Sequence, residues 1–234
     1  MDQLQPPHTS RDFETELREL RAHALAMGAR CERAVRLAFQ AYWDGEFPVA
    51  DEVGEVDAQI DQDEVDIHTL VLRILALRQP VAKDLRFLAS ALRLITDLER
   101  VGDEAVNITE RIVGGDDEAK LSVQDLLPAM SDDAQDMLRV TLQAFVDGDA
   151  DAAASVLTRD DAVDKRCAEV MRMMIGHISS HPLAAAAGLR VIRTAKHLER
   201  IADHATNVAE EVIFMVRGDD VRHARGGRSE RPHR

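Results

Sequence analysis

The chain repeats itself. DLERVGDEAVN, Asp97 to Asn107, returns one hundred residues later as HLERIADHATN, so Glu99, Arg100, Asp103 and Asn107 recur as Glu199, Arg200, Asp203 and Asn207. From Arg93 to Glu110 the two copies agree at eight of eighteen positions. Composition alone would give about one or two. QAYWDG, Gln40 to Gly45, likewise returns as QAFVDG, Gln143 to Gly148, and the same offset of 103 carries Asp57 and Asp61 onto Asp160 and Asp164. Beyond the next turn the offset falls to 100, so the second copy is three residues shorter there. A duplication this long requires a fold made of two like units.

The unit is helical. Ala, Leu, Arg, Asp and Glu abound, aromatic residues make up only 3% of the chain, and no window alternates with a period of two, so no strands are expected. Turn signals divide the chain into six long segments. The first runs from about Ser10 to Trp43, capped by Thr9-Ser10 and stopped by Asp44-Gly45; the second covers Val49 to Leu77 and breaks at Gln79-Pro80. The third spans Val81 to Val113 and ends at Gly114-Gly115. After the polar stretch DDEAKLSVQD, a fourth ends at Asp147-Gly148, a fifth occupies Ala150 to Ser179, and a sixth runs from Pro182 to Gly218. The expected fold is all-α: two tandem three-helix bundles, residues 10–114 and 122–217, related by internal duplication. A tail at 1–9, a linker at 115–121 and a basic, disordered tail at 218–234 complete the chain.

The third segment carries an apolar stripe at Phe87, Ala91, Leu94, Leu98, Val101, Ala105, Ile108 and Ile112, with steps of four and three that suit helices packed side by side. The sixth matches it with Ala187, Val191, Thr194, Leu198, Ile201, Ala205, Val208 and Val212. These residues are expected in the core.

Several function classes find no support. A net charge of −14 and few aromatics argue against nucleic acid as a partner. No apolar run approaches the roughly 20 residues that span a bilayer, and MDQLQPPHTS has no signal-peptide core, so a cytoplasmic location is expected. Cys31 and Cys167 have neither metal-type spacing nor a disulfide framework. There is no P-loop, dinucleotide fingerprint or nucleophile elbow, and the chain is expected not to be an enzyme.

Glu99, Asp103, Asn107 and Glu110 lie roughly opposite the core stripe, where charged residues facing water would be the plain explanation. Two observations point further. Leu85, Leu88, Leu92 and Ile95 share that side, so it packs partly against another helix. An i, i+4 pair of like charges also costs about a few tenths of a kcal/mol on an isolated helix, yet both copies keep it. Folding the second segment antiparallel onto the third then sets acids level. Asp57 and Asp61 lie 23 and 19 residues before Pro80, while Asp103 and Glu99 lie 23 and 19 after it. In the other copy Asp160 and Asp164 lie 22 and 18 residues before Pro182, and Asp203 and Glu199 lie 21 and 17 after. Equal rise per residue puts each foursome at one height; the helix rotations decide whether its members face each other. If they do, the four acids repel strongly unless they are protonated or bound to a cation, and all-oxygen ligation suits Mg²⁺, Ca²⁺, Mn²⁺ or iron. His204 projects from a different face than Glu199 and Asp203. Arg93, Arg100, Arg193 and Arg200 could receive phosphate or a partner's carboxylate, but Arg93 and Arg100 are expected to pair with Asp97 and Glu104 on their own helix.

LRQPVAKDLR (Leu77 to Arg86), DLERVGDEAVNI, HLERIADHATNV and MVRGDDVRH, taken in order, resemble the PhoU family of phosphate-specific transport system accessory proteins. The likeness extends from about Ser10 to His223. It departs at HPLAAAAGLR, which stands where the first copy has RQPVAKDLR, and at Asp160-Asp161, which leaves open which of the two partners Asp164. The resemblance implies divalent or trivalent metal ions held by E(D)xxxD motifs, which here are Asp57/Asp61 with Glu99/Asp103 and Asp160/Asp164 with Glu199/Asp203. It implies a homodimer that regulates phosphate uptake and represses the phosphate-starvation response. Such an adaptor would join a phosphate ABC transporter ATPase to a membrane sensor histidine kinase. A ferritin-like di-metal carboxylate oxidase is the alternative from another class, but its inward Glu-x-x-His motifs are absent from the helical segments. A helical scaffold whose acids bind no metal is the third reading.

Overall fold

A computed structural model of the chain describes residues 7–112, 118–219 and 221. The N-terminal residues 1–6 and nearly all of the expected basic tail lie outside the described residues. Among the described residues there are six long helices: α1 (Pro7–Asp44), α2 (Phe47–Arg78), α3 (Ala82–Thr109), α5 (Leu126–Asp147), α6 (Ala150–Ser180) and α7 (Ala185–Arg217). A one-turn α4 (Glu118–Leu121) precedes α5, and a 3₁₀ turn at Pro182–Ala184 leads into α7. No strand is present among the described residues, and no helix there is long and apolar enough to cross a membrane.

Gly45 and its repeat equivalent Gly148 end α1 and α5 with φ of 74° and 66°, a left-handed turn that glycine adopts without a Cβ clash. Asp149 caps α6, its Oδ1 accepting the amides of Asp151 and Ala152 at 3.0 Å. α3 stops at Thr109, four residues before the expected end. There the Arg111 and Ile112 amides bond to the Ile108 and Thr109 carbonyls, which tightens the last turn and returns Ile112 to the core.

Within each repeat the three helices all pack on one another, and the repeats join through α1 on α5 and α3 on α7. The stripe from Phe87 to Ile112 is buried throughout; its counterpart on α7 is buried from Val191 to Val212, with Ala187 half-buried. One continuous apolar cluster draws on both repeats.

Polar groups are paired across the α3–α7 contact. Asp97 Oδ1 meets His204 Nδ1 at 2.9 Å and accepts the Asn207 amide at 3.0 Å. Glu104 meets His197 Nδ1 at 2.5 Å and accepts from Arg200 at 3.3 Å. Arg93 donates to Glu211 at 2.8 Å. Residue numbers fall on α7 as they rise on α3, so the helices run antiparallel. The expected pairing within α3 does not form. Asp97 and Glu104 turn to the other repeat instead, and Arg100 turns to Glu99 and Asp103. Burial pushes the Glu104 carboxyl up, but the hydrogen bond and charge of His197, with Arg200 beside it, outweigh burial and hold it below the usual carboxylate range.

Lys120 of α4 reaches back to the end of α1. Its Nζ donates to the Tyr42 carbonyl at 2.6 Å and the Trp43 carbonyl at 3.3 Å, and lies 4.6 Å from the centre of the Tyr42 ring. A buried cation there satisfies carbonyls that α1 leaves open and sits at the negative end of its dipole. Lys120→Met is expected to cost about 2 kcal/mol, read as a lower urea midpoint with an unchanged slope. An unmoved midpoint would show that this strap contributes nothing.

Candidate functional site

The α2–α3 hairpin brings its acids together. Asp57 and Asp61 on α2 face Glu99 and Asp103 on α3. The charges of Asp61 and Asp103 act on Asp57, and those of Asp103, Glu64 and Asp61 act on Glu99. Gly102 makes the approach possible. A Cβ on it would stand 2.5 Å from Asp57 Oδ1, so this carboxylate occupies the space a side chain would fill. Asp57 Oδ1 is sealed from solvent and has no hydrogen-bond partner. A buried carboxylate oxygen with no donor is costly unless a proton or a cation meets it. Arg100 gives partial compensation from the rim, at 3.3 Å from Glu99 and 3.0 Å from Asp103.

The α6–α7 hairpin builds the corresponding cluster. Asp160, Asp164 and Asp203 each offer a carboxylate oxygen within 4.8 Å of the others. Asp160 therefore stands in the cluster, while Asp161 acts on Asp164 from outside it. Glu199 is held by the Lys196 ammonium one turn before it. His204 pairs with Asp97 and offers no ligand atom to the group, although its charge acts on Asp203.

Both clusters lie on the flank of their hairpin, half-buried or exposed, and outside the apolar core. A cavity of about 520 Å³ between α1 and α5 lies elsewhere; Arg33, Arg36 and Arg139 mingle there with Glu32, Asp133 and Asp136. Converging carboxylates with an orphaned oxygen fit a hard cation, which would neutralise the charge and complete the coordination of Asp57.

Spacing brought all eight acids into view but missed Glu64 and Lys196. Glu64 follows Asp57 by seven residues, so extending the helical register two turns would have found it. Lys196 had no signal, because its counterpart in the first copy is Thr96.

Electrostatics make a pH-dependent prediction. Burial, then the charges of Asp61 and Asp103, push the Asp57 carboxyl from 3.8 up to about 6. Burial, then Asp160, Glu199 and Asp164, do the same to Asp203. A raised carboxyl pKa means that the metal-free folded state binds the proton more tightly than the unfolded chain. Its contribution to stability is full below pH 3.8 and is lost as pH rises through about 6. In chelator, Asp57→Asn is therefore expected to raise Tm at about pH 7.5 and to leave it unchanged at about pH 3.5. A variant that melts lower at the higher pH would refute this repulsion.

Comparison with known proteins agrees with the architecture. The PhoU domain family matches residues 24–112 and 127–212, one match in each repeat. The phosphate-specific transport system accessory protein PhoU homologues of Pseudomonas putida and Pseudomonas aeruginosa are each 39% identical to it over 221 residues. Those alignments cover 92% of this chain, with 85% of the first protein and 90% of the second. The crystal structure of PhoU from Pseudomonas aeruginosa superposes with a TM-score of 0.83 at 38% identity, covering 88% of this chain and all of that one. The phosphate transport system regulatory protein PhoU from Streptococcus pneumoniae gives a TM-score of 0.80 at 26% identity, covering 89% and 99%. With both repeats matched and the whole architecture shared, the chain belongs to the PhoU family.

Proposed function

We propose that this chain is a non-enzymatic regulator of phosphate uptake whose two acidic clusters bind metal ions and present a cation-bearing surface to partner proteins. Family membership supports the physiological setting, since relatives are named accessory or regulatory proteins of phosphate transport. The observation that carries the metal reading is the convergence of Asp160, Asp164 and Asp203 in the second hairpin, and the buried, unpartnered Asp57 oxygen beside Asp61 and Asp103 supports it in the first. An ion there would lift the mutual repulsion and lock each hairpin. Bridging to a partner's carboxylate, or ordering a face that the partner reads, would then couple metal occupancy to binding. The partners we assign are the phosphate transporter ATPase and a membrane sensor histidine kinase, met in the cytoplasm by a homodimer, with phosphate-starvation genes held off when phosphate is plentiful.

An oxygen-activating di-metal enzyme is disfavoured by the geometry. Such a centre is enclosed by inward-facing ligands, whereas these acids line open flanks and neither His197 nor His204 joins them.

Metal analysis of protein purified without chelator, with Glu99→Ala and Glu199→Ala alongside, tests the sites. Each variant is expected to lose the metal of its own repeat and keep the other; unchanged content in both would end the assignment. In capture assays with the purified ATPase and kinase domains, the variants are expected to retain less partner than the wild type. In phosphate-replete cells lacking the chain, starvation-responsive transcription is expected to rise, and wild type is expected to restore repression better than the variants. Full repression and capture by both metal-depleted variants would separate metal binding from regulation.

A further inference from the structure

The two ends of the molecule are built alike but filled differently. The offset of 103 carries Tyr42, Trp43 and Gly45 at the end of α1 onto Phe145, Val146 and Gly148 at the end of α5. At the first place the chain fills its own gap. There α4 packs on α7 and sends Lys120 to the Tyr42 and Trp43 carbonyls, with Ala119 and Val123 buried. At the second place, a cavity of about 210 Å³ lies between the end of α5, the start of α3 and the end of α7.

Phe87, Phe145, Met215 and Val216 give this cavity apolar walls, and the two rings stack with centres 5.5 Å apart. Arg21 and Lys83 also line it. Arg21 is half-buried, and its guanidinium lies 4.4 Å from the centre of the Phe87 ring, which holds the cation at the wall. Neither Arg21 nor Lys83 has a hydrogen bond or ion pair among the described residues. The acid that lines the cavity, Asp147, accepts the Gln143 amide at 2.7 Å. Arg86 donates to the Met215 carbonyl at 3.5 Å, so the end of α7 has a cation of its own. In the other repeat the positions of Arg21 and Lys83 hold Gln124 and Leu183, neither of them charged. One end takes in a cation; the other presents two.

We propose that this cavity docks an acidic segment of a partner protein, which inserts one large apolar side chain against Phe87, Phe145 and Met215 and sets carboxylates against Arg21 and Lys83. The site is separate from the acidic clusters and does not rest on their holding metal. Its volume lies below the roughly 300–1,000 Å³ that encloses a whole small molecule, and suits a single side chain. The seating of α4 shows that a short stretch of chain is what the fold accepts at this position. Two cations without partners call for acid: complementary charge sets the orientation, and the apolar anchor supplies affinity. The offset of 103 sets VRHA, Val221 to Ala224, where EAKL stands in the first repeat. Those residues are basic and like charge opposes them, so the occupant comes from another protein.

The peptide Asp-Asp-Phe-Asp-Asp, titrated into the full-length, isotope-labelled protein and followed by amide chemical shifts, tests this. Saturable shifts are expected at the Gly148 and Val216 amides, with a dissociation constant below about 1 mM. Replacing the peptide's phenylalanine by alanine, or its aspartates by lysines, should weaken binding at least about tenfold. Val216→Trp fills the cavity and keeps both cations, whereas Arg21→Gln with Lys83→Gln keeps the cavity and removes them. Each should also weaken binding at least about tenfold, with thermal melting to show that both proteins fold. Arg21→Glu with Lys83→Glu should reverse the preference, so that the lysine peptide binds instead. Unchanged binding in Val216→Trp would reduce the contact to surface charge and overturn the site. So would binding indifferent to the loss of both cations, or none by the wild type. A peptide that binds only a chain ending at Val221 would assign the cavity to this chain's own following residues and overturn the partner.

Discussion

α3 packs on α1 and α2 of its own bundle and on α7 of the other, and α7 packs in the same way on α5, α6 and α3, so both helices must bury most of their circumference. This central contact constrains the rest of the molecule. The fully buried Leu94, Leu98, Leu198 and Ile201 each contribute about 2 kcal/mol by leaving water. Polar groups on these helices have two places left: the seam between repeats, where a partner waits on the opposite helix, or the flank beside α2 and α6. Asp97, Glu104, His197 and His204 take the seam, and the paired acids take the flank.

That division explains how a crowd of like charges can persist. Two carboxylates about 5 Å apart repel by about 3 kcal/mol at an effective dielectric of 20, and solvent screening lowers this for half-exposed groups. Two or three such terms are outweighed by the apolar stripe that holds each hairpin closed, so the clusters stay assembled. Gly102 shows how far local packing has been adapted to this end, because its missing side chain is the space that Asp57 occupies.

The duplication, the six helices and the level of the acids on each hairpin could all be read from spacing, because helical rise is nearly invariant. Rotation about each helix could not, and this is where the reading of Arg93 and Arg100 went astray. On a lone helix Asp97 is a natural partner for either, yet a second helix presents His204 and Asn207 at better geometry. The same limit kept Lys120 out of view. Its partners are backbone carbonyls 77 and 78 residues earlier, and carbonyls carry no sequence signature. Choosing Asp160 over Asp161 likewise required a rotation angle.

The antiparallel seam has a consequence for the chain's descent. The offset of 100 carries Asp97 to His197 and Glu104 to His204, while the seam pairs 97 with 204 and 104 with 197. A half-length protein meeting its own image in this arrangement would set acid against acid, or imidazole against imidazole. Covalent fusion frees the halves from that mirror, because each can then mutate alone. The present seam, acidic on one side and imidazole on the other, is a surface that no symmetric pair of identical half-chains could make.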